Sequence, residues 1–174
     1  MPLIRHGRFV ADDWRAFADD EEIAGPGAIV TLKRYEEQAG SLWGRVTRLG
    51  VAVANTARPD ALDRLVREVH LIAIAFPAFN DGRGFSLARR LRRLGFKGTL
   101  RAQGYVLPDQ AAYAHACGFD EIEISDALGK RQPEAHWRAA YAAMTLGYQP
   151  GYPGPQNILM ARHAARLRQQ RPAA

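Results

Sequence analysis

Short apolar runs alternate with helix patterns from Leu49 onward, and this alternation limits the fold more than any other feature of the chain. The runs are residues 49–54, 71–76, 98–102 and 121–125. Short strands that alternate with amphipathic helices predict βαβ units and a parallel sheet. We therefore expect an α/β fold with a mainly parallel sheet of about four βα units. Periodicity leaves two forms open, an open sheet and a half-barrel.

Prolines and glycines mark the ends of the predicted helices, because proline suits the first turn and glycine the position after the last. We expect helices from Pro59 to about residue 69, from an N-cap at Ser86 to Gly95, from Pro108 to Gly118, and from Pro133 to about residue 144. Residues 121–125 alternate in character, and this alternation predicts a half-exposed edge strand.

The first 48 residues are less regular. Leu3-Ile4 and Phe9-Val10 predict a small hairpin, residues 28–32 a strand, and residues 33–43 a helix. Asp12-Asp13-Trp14 and the acidic run of residues 19–22 are predicted to be loops. We expect one domain over residues 1–149 and an extension, rich in proline, glycine and basic residues, over 150–174.

Composition narrows the class of protein. The chain has 174 residues, a net charge of +6 and one cysteine, Cys117, so an internal disulfide is excluded. No apolar run has the length of a membrane span and no secretory signal begins the chain, so we expect a cytoplasmic protein without membrane contact. The five histidines lack metal-ligand spacing, and no metal site is expected. The basic charge permits nucleic-acid binding, but the aromatic residues of a single-strand binder are missing from the basic helix, and nucleic acid is not an expected partner.

The strand ends select the candidate site, because ligands of parallel sheets bind beyond the carboxyl ends of the strands. The polar residues that follow the predicted strands are Asn55, Thr56, Asn80, Asp81, Arg83, Gln103, Tyr105, Ser125 and Asp126. We expect these side chains to converge on one edge of the sheet.

The turn Asn80-Asp81-Gly82-Arg83-Gly84 is the centre of that edge. The two glycines would allow positive φ and a close approach of a ligand. The amides of residues 84–87 and the fork of Arg83 would favour an anion. Alternatively, Asp81 and Arg83 form a pair that only stabilises the turn. Both interpretations stay open at this point.

Two further patterns bear on function. A dinucleotide fingerprint would need a third glycine at position 87, which is Leu87, and no phosphate-binding lysine loop occurs, so a nicotinamide or ATP site has no local support. Arg89, Arg92 and Arg93 are predicted to lie opposite the apolar side of their helix. Such a basic face is either solvated or docks an acidic protein.

Three stretches together carry a resemblance. They are residues 76–89, residues 95–102 and residues 106–120. The chain resembles a bacterial domain-of-unknown-function family whose members are often described as oxidoreductases of sulfite reduction, a description that rests largely on genes beside those of sulfite reductase. The resemblance covers about residues 1–149 and includes Asp12-Asp13-Trp14. Tyr105 stands where the family often has an acidic residue or a histidine.

The resemblance implies a role in assimilatory sulfur metabolism. It implies site residues at the matching positions, with Asp81, Arg83 and Asp109 as candidates for catalysis and Gly82, Gly84, Ser86, Arg101 and Gln110 as candidates for binding a cofactor or anion. Cys117 also matches the family pattern. The cofactor itself stays unknown. The expected function is therefore an accessory protein or oxidoreductase of sulfite reduction, and the alternative is a non-catalytic adaptor that docks sulfite reductase or its electron donor.

Overall fold

The computed structural model describes residues 1–143, apart from the side chains of residues 59 and 60. The fold is α/β, with an open, strongly curled half-barrel sheet of mostly parallel strands and, in the described range, six helices. The strands are β1 (Leu3–Arg5), β2 (Arg8–Val10), β3 (Arg15–Ala16), β4 (Gly27–Thr31), β5 (Arg48–Val53), β6 (Leu71–Phe76), β7 (Thr99–Gly104) and β8 (Glu121–Glu123). The helices are α1 (Leu32–Leu42), α2 (Pro59–Glu68), α3 (Arg83–Arg93), α4 (Pro108–Ala116), α5 (Asp126–Arg131) and α6 (Glu134–Ala143).

The strands pair in the order β2-β1-β8-β7-β6-β5-β4-β3. From β3 to β8 every neighbouring pair is parallel, whereas β1 is antiparallel to both β2 and β8. Strands β4 to β8 follow one another in chain order, so each crossover proceeds in the same direction. Right-handed crossovers of this kind place the helices on one face of the sheet and leave the other face concave. The half-barrel form of the expected fold is thus confirmed.

The predicted N-terminal hairpin is confirmed as β1 and β2. His6 and Gly7 connect them with φ values of 51° and 76°. Two consecutive residues at positive φ are typical of a type I′ turn, whose twist matches that of the strands. The hairpin extends the parallel sheet beyond β8.

The core lies between the helices and the sheet. Alternate strand residues such as Ile72, Ile74, Leu100 and Ala102 are fully buried there against the helices. The residues between them face the concave side. A smaller apolar cluster of Ile29, Leu71 and Ala73 lies on that side, with Trp14 packed against it.

Several element predictions need correction. Strand β8 is not a half-exposed edge, because β1 pairs with its outer side and its residues, including Glu121 and Glu123, are buried. The short β3 and α5 were not predicted. Ser86 does not cap its helix: α3 begins at Arg83, with Gly82 at the N-cap position. The predicted extension over residues 150–174 lies outside the described residues.

Candidate functional site

The turn of residues 80–84, called the Asp81 turn from here on, has an ion pair between Asp81 and Arg83 at its centre. The Nε and Nη2 atoms of Arg83 donate to the two carboxylate oxygens of Asp81 at 2.9 and 2.6 Å. The backbone N–H of Arg83 also donates to Asp81 Oδ1 at 3.3 Å. Asp81 therefore binds both the backbone and the side chain of Arg83, the first residue of α3. This geometry matches the turn-stabilising interpretation of the pair.

The pair still leaves part of Arg83 open to a ligand. The Arg83 side chain is 60% exposed, while that of Asp81 is 16% exposed. The end of the guanidinium formed by Nη1 and Nη2 has no acceptor among residues 1–143 beyond the Asp81 contact of Nη2. An oxyanion from solvent can reach this end, so the anion interpretation remains a prediction.

Asn55, at the carboxyl end of β5, lies beside this pair. Hydrogen bonds from Arg83 hold the pKa of the Asp81 carboxyl well below its ordinary range, and the Asn55 amide has the next largest effect. Asn55 is 8% exposed, and its Nδ2 is buried without a well-aligned acceptor in the described structure. A buried amide N–H without a good partner is costly, and its place next to the Asp81 turn makes Asn55 part of the candidate site.

The glycines of the turn act differently from the prediction. Gly82 has a φ of −79°, and Gly84 is not among the glycines with positive φ. A Cβ on Gly84 would lie 2.5 Å from the ring of Phe76, whereas one on Gly82 would meet nothing closer than 3.8 Å. Gly84 is therefore needed for the contact between α3 and β6, not for the approach of a ligand.

The amides at the start of α3 also differ from the prediction. With Gly82 as the N-cap, the four N–H groups without intrahelical partners are those of residues 82–85. Leu87 is thus not among them. The N–H of Arg83 is bound to Asp81, and that of Phe85 donates to Gly82 O at 3.1 Å. Ser86 is exposed in this first turn, close to the site but not as a cap.

Gln110 connects the next loop to the turn. Its Nε2 donates to the carbonyl of Phe79 at 2.7 Å, and its Oε1 accepts from the N–H of Leu107 at 3.0 Å. The side chain is thus occupied in holding α4 against the loop before α3. Asp109 is the exposed neighbour of Gln110 in the first turn of α4. The predicted proximity of the two loops is present, although Gln110 itself positions the loops.

Arg101 lies within β7, outside the Asp81 turn. It is 1% exposed and faces the concave side of β7, away from α3. Its guanidinium binds Asp12 through two hydrogen bonds, Glu121 at 2.8 Å and Glu123 at 2.9 Å. Burial alone would lower the pKa of Arg101, but its hydrogen bonds and charge contacts with Asp12 and Glu121 more than offset this and raise it. Arg101 and the Asp81 turn are therefore not brought together.

Sequence reasoning missed the partners of Arg101. The alternation of Glu121 and Glu123 with Ile122 predicts a half-exposed edge strand and not two buried carboxylates. An arginine in the middle of an apolar strand was the available signal, since a buried charge needs a partner on a neighbouring strand. The register pairs Arg101 with Glu121 and Gln103 with Glu123. Gln103 Nε2 donates to Glu123 at 3.2 Å, which extends the cluster towards the carboxyl edge.

The basic side of α3 is only partly solvated. Arg92 donates to the carbonyls of Phe96, Gly98 and Gly118, each at 2.9 Å, and to Asp120 at 2.6 Å. Arg89 lies 5.7 Å from the ring of Tyr113. Arg90 and Arg93 are exposed, and Leu94, expected on the apolar side, is 42% exposed. The outward surface is therefore Arg90, Arg93 and Leu94.

The described residues contain neither a group of metal ligands nor a membrane-spanning helix. Across residues 1–143, no three or more His, Cys, Asp or Glu side chains are grouped as metal ligands would be. No helix in the same range combines the length and apolar character needed to span a bilayer. Cys117 is buried at the C-cap position of α4.

A family model described as bacterial protein of unknown function, DUF934, matches residues 50–159, which is more than half of the chain. The chain belongs to this family. The matched range of the DUF934 protein includes the Asp81 turn, Arg101 and Gln110. Among curated proteins, none matches the sequence.

Among solved structures, a chain in a crystal structure of tryptophan synthase from M. tuberculosis is similar to the DUF934 protein, with a TM-score of 0.45 and 19% identity. The alignment covers 67% of this chain and 48% of that one, so the DUF934 protein spans about half the length of this match. A likeness of this degree carries no inference about function.

Proposed function

We propose that this DUF934 protein is an accessory protein of assimilatory sulfite reduction that holds a small oxyanion at Arg83. The observation that supports the proposal is the geometry of Arg83 at the carboxyl edge. Asp81 fixes the guanidinium through Nε and Nη2, and the 60% exposed side chain leaves its outer end towards solvent. The connection to sulfite reduction comes from the family resemblance.

The chemistry of this position suits a sulfite-type or sulfate-type anion, or the phosphate of a cofactor. The outer fork of a guanidinium can donate two parallel hydrogen bonds to two oxygens of such a group. The N-terminus of α3 adds a favourable partial positive charge. The negative charge of Asp81 repels an incoming oxyanion, so the anion binds Arg83 more weakly than it would bind an arginine without a carboxylate partner. The buried amide of Asn55 is the next donor within the site.

An oxidoreductase role is the finer form of the same proposal. It would place Arg83 against the anion and use Asp81 or the exposed Asp109 as a proton carrier, with electrons supplied by a separate carrier protein. The low pKa of Asp81 makes it a poor proton carrier near neutral pH, because it stays ionised. This favours the accessory form.

The anion site can be tested by NMR on the full chain. Titration with sodium sulfite under anaerobic conditions, and with sulfate, should shift the amide signals of residues 82–86. Arg83→Gln should abolish these shifts. Arg67→Gln, which removes an exposed arginine of α2, is the matched control and should keep them. Equal shifts in the two variants would remove Arg83 from the site.

A second candidate function is the adaptor that docks sulfite reductase or its electron donor. The observation that favours it is the outward surface of α3, where Arg90 and Arg93 flank the 42% exposed Leu94. Arg93→Glu should break a pull-down of the purified partner, while Arg83→Gln should not. The reverse result would support the anion site and contradict the adaptor.

A further inference from the structure

A cleft of about 390 Å³ lies at the opposite edge of the sheet from the Asp81 turn. It is formed before the amino ends of β7 and β8, where α3 and α4 end. Arg92, Lys97, His115 and Asp120 line it, above the buried rings of Phe96 and Phe119. Its volume falls in the range of small-molecule sites, roughly 300–1,000 Å³. None of the candidate residues of the Asp81 turn belongs to it.

Arg92 provides a fixed positive charge in the wall of this cleft. Four hydrogen bonds, to three backbone carbonyls and Asp120, hold the guanidinium in place. These bonds also occupy the carbonyls of Phe96, Gly98 and Gly118, which would otherwise repel an anion. The second N–H of Nη2 has no acceptor among the described residues. One donor therefore remains for a ligand.

The charges of the cleft favour an anion. Arg92 and the exposed Lys97 supply two positive charges, and Asp120 supplies the one carboxylate among the described residues that line the cleft. The other carboxylate nearby, Glu121, is buried against Arg5 at 2.7 Å and Arg101 at 2.8 Å. Two donors, Arg92 Nη2 and the Lys97 ammonium, match the two oxygens of a carboxylate.

One wall of the cleft is aromatic, because the exposed imidazole of His115 lies beside the buried rings of Phe96 and Phe119. An adjoining cavity of only about 10 Å³, too small for a ring, shares His115, Phe119 and Asp120 with the cleft and is also lined by His6 and Tyr141. The rings of His6, His115 and Tyr141 lie 5.4 to 5.9 Å apart, with their edges and faces in contact. Burial, and then the charge of Asp120, raises the pKa of Tyr141 to about 12, so its hydroxyl stays neutral. His115, in ring contact with His6 and Tyr141, is the part of this set that lines the cleft, and its imidazole can hold a planar ring.

We propose that this cleft binds a small aromatic carboxylate, with the carboxylate between Arg92 and Lys97 and the ring against His115, above Phe96 and Phe119. The site is independent of the proposed function at Arg83, because the two lie at opposite ends of the strands. Its ligand would therefore be a second small molecule for this protein.

Three probes that differ in one group each test the proposal by NMR. They are 3-phenylpropionate, 2-phenylethylamine and propionate. The expected result is that 3-phenylpropionate shifts the amides of Lys97, Gly98 and Gly118 with a Kd on the order of millimolar, while the amine and the ring-free acid bind at least several-fold more weakly. Binding of the amine at equal strength, or no shift of these amides at about 10 mM probe, would overturn the proposal.

Variants separate the site from a general effect of positive charge. Lys97→Gln should weaken binding of 3-phenylpropionate roughly three- to tenfold. Lys33→Gln, which removes an exposed lysine of α1, should not change it. His115→Ala removes the ring that lines the cleft, so it should also weaken binding. Equal effects of Lys97→Gln and Lys33→Gln, or unchanged binding by His115→Ala, would contradict the proposal.

Discussion

Arg101 and Asp12 are 89 positions apart in the sequence, yet they form a bidentate ion pair, with Nη2–Oδ1 at 2.7 Å and Nη1–Oδ2 at 2.8 Å. The pair fastens the segment between β2 and β3 across the concave face of the sheet. Trp14 follows in the same segment and packs there against Leu71 and Ala73. The Asp12-Asp13-Trp14 motif is thus explained by a structural contact.

Arg101→Leu should destabilise the protein strongly. Glu121 would remain fully buried with only Arg5 as a partner, and breaking a buried ion pair typically costs about 3–5 kcal/mol. Urea unfolding measures the loss. Arg5→Gln is the control, since the Arg5 side chain is 47% exposed and its pair should contribute only about 1 kcal/mol or less. Equal losses in the two variants would contradict the role given to Arg101.

Gly84→Ala should lower the free energy of unfolding by about 1–3 kcal/mol, because the new Cβ would press against the Phe76 ring. Gly82→Ala should have little effect, since its φ of −79° suits alanine and the nearest atom is 3.8 Å away. The pair of variants distinguishes packing from turn flexibility. If Gly82→Ala were the more damaging change, the turn would need glycine for its backbone.

Arg92→Gln should destabilise the protein by roughly 2–3 kcal/mol, since it removes charged hydrogen bonds to three carbonyls and Asp120. Arg93→Gln, one position further on the exposed side of α3, should be nearly neutral. Thermal unfolding of both variants measures the difference. A neutral Arg92→Gln would show that the loops before β7 and β8 do not depend on this side chain.

The Asp81 carboxyl should titrate well below its ordinary pKa of 3.8, because Arg83 binds its ionised form. A lowered pKa in the folded state means that the pair stabilises the protein fully above pH 3.8. This contribution is lost only as the pH falls through the lower folded-state pKa. Carbon-13 NMR of the Asp81 side chain follows this titration. Arg83→Gln should move the pKa up towards 3.8, and an unchanged titration would contradict the pairing.

The sequence predicted the parallel part of the fold well. Pro59, Pro108, Gly95 and Gly118 marked helix ends because their backbone preferences are local. The prediction of Ser86 as the helix cap was wrong because α3 begins one turn earlier, at Arg83. The Asp81–Arg83 contact at this start depends on side-chain positions, which the sequence pattern does not show. The burial of Glu121 and Glu123 does not follow from their own alternation with Ile122, since it depends on β1 from the start of the chain and on Arg101 from a neighbouring strand. The only sign of it in the sequence is that arginine within β7.

The candidate site was predicted in part. The turn and its contact with the loop of Gln110 follow from the rule that parallel strands gather their carboxyl ends at one edge. The burial of Asn55 Nδ2 without a well-aligned acceptor depends on how β5 packs against the turn, which the sequence pattern does not show. Arg101 matches the family pattern, but its side chain lies on the concave face of the sheet, because neighbouring residues of a strand point to opposite sides.

The most direct test of the proposed role in sulfite reduction is growth of a strain that lacks the gene, with sulfate, sulfite or sulfide as the sulfur source. The proposal predicts growth on sulfide and failure on sulfite and sulfate, restored by the wild-type gene but not by the Arg83→Gln variant. Normal growth of the deletion strain on all three sources would contradict the proposed function.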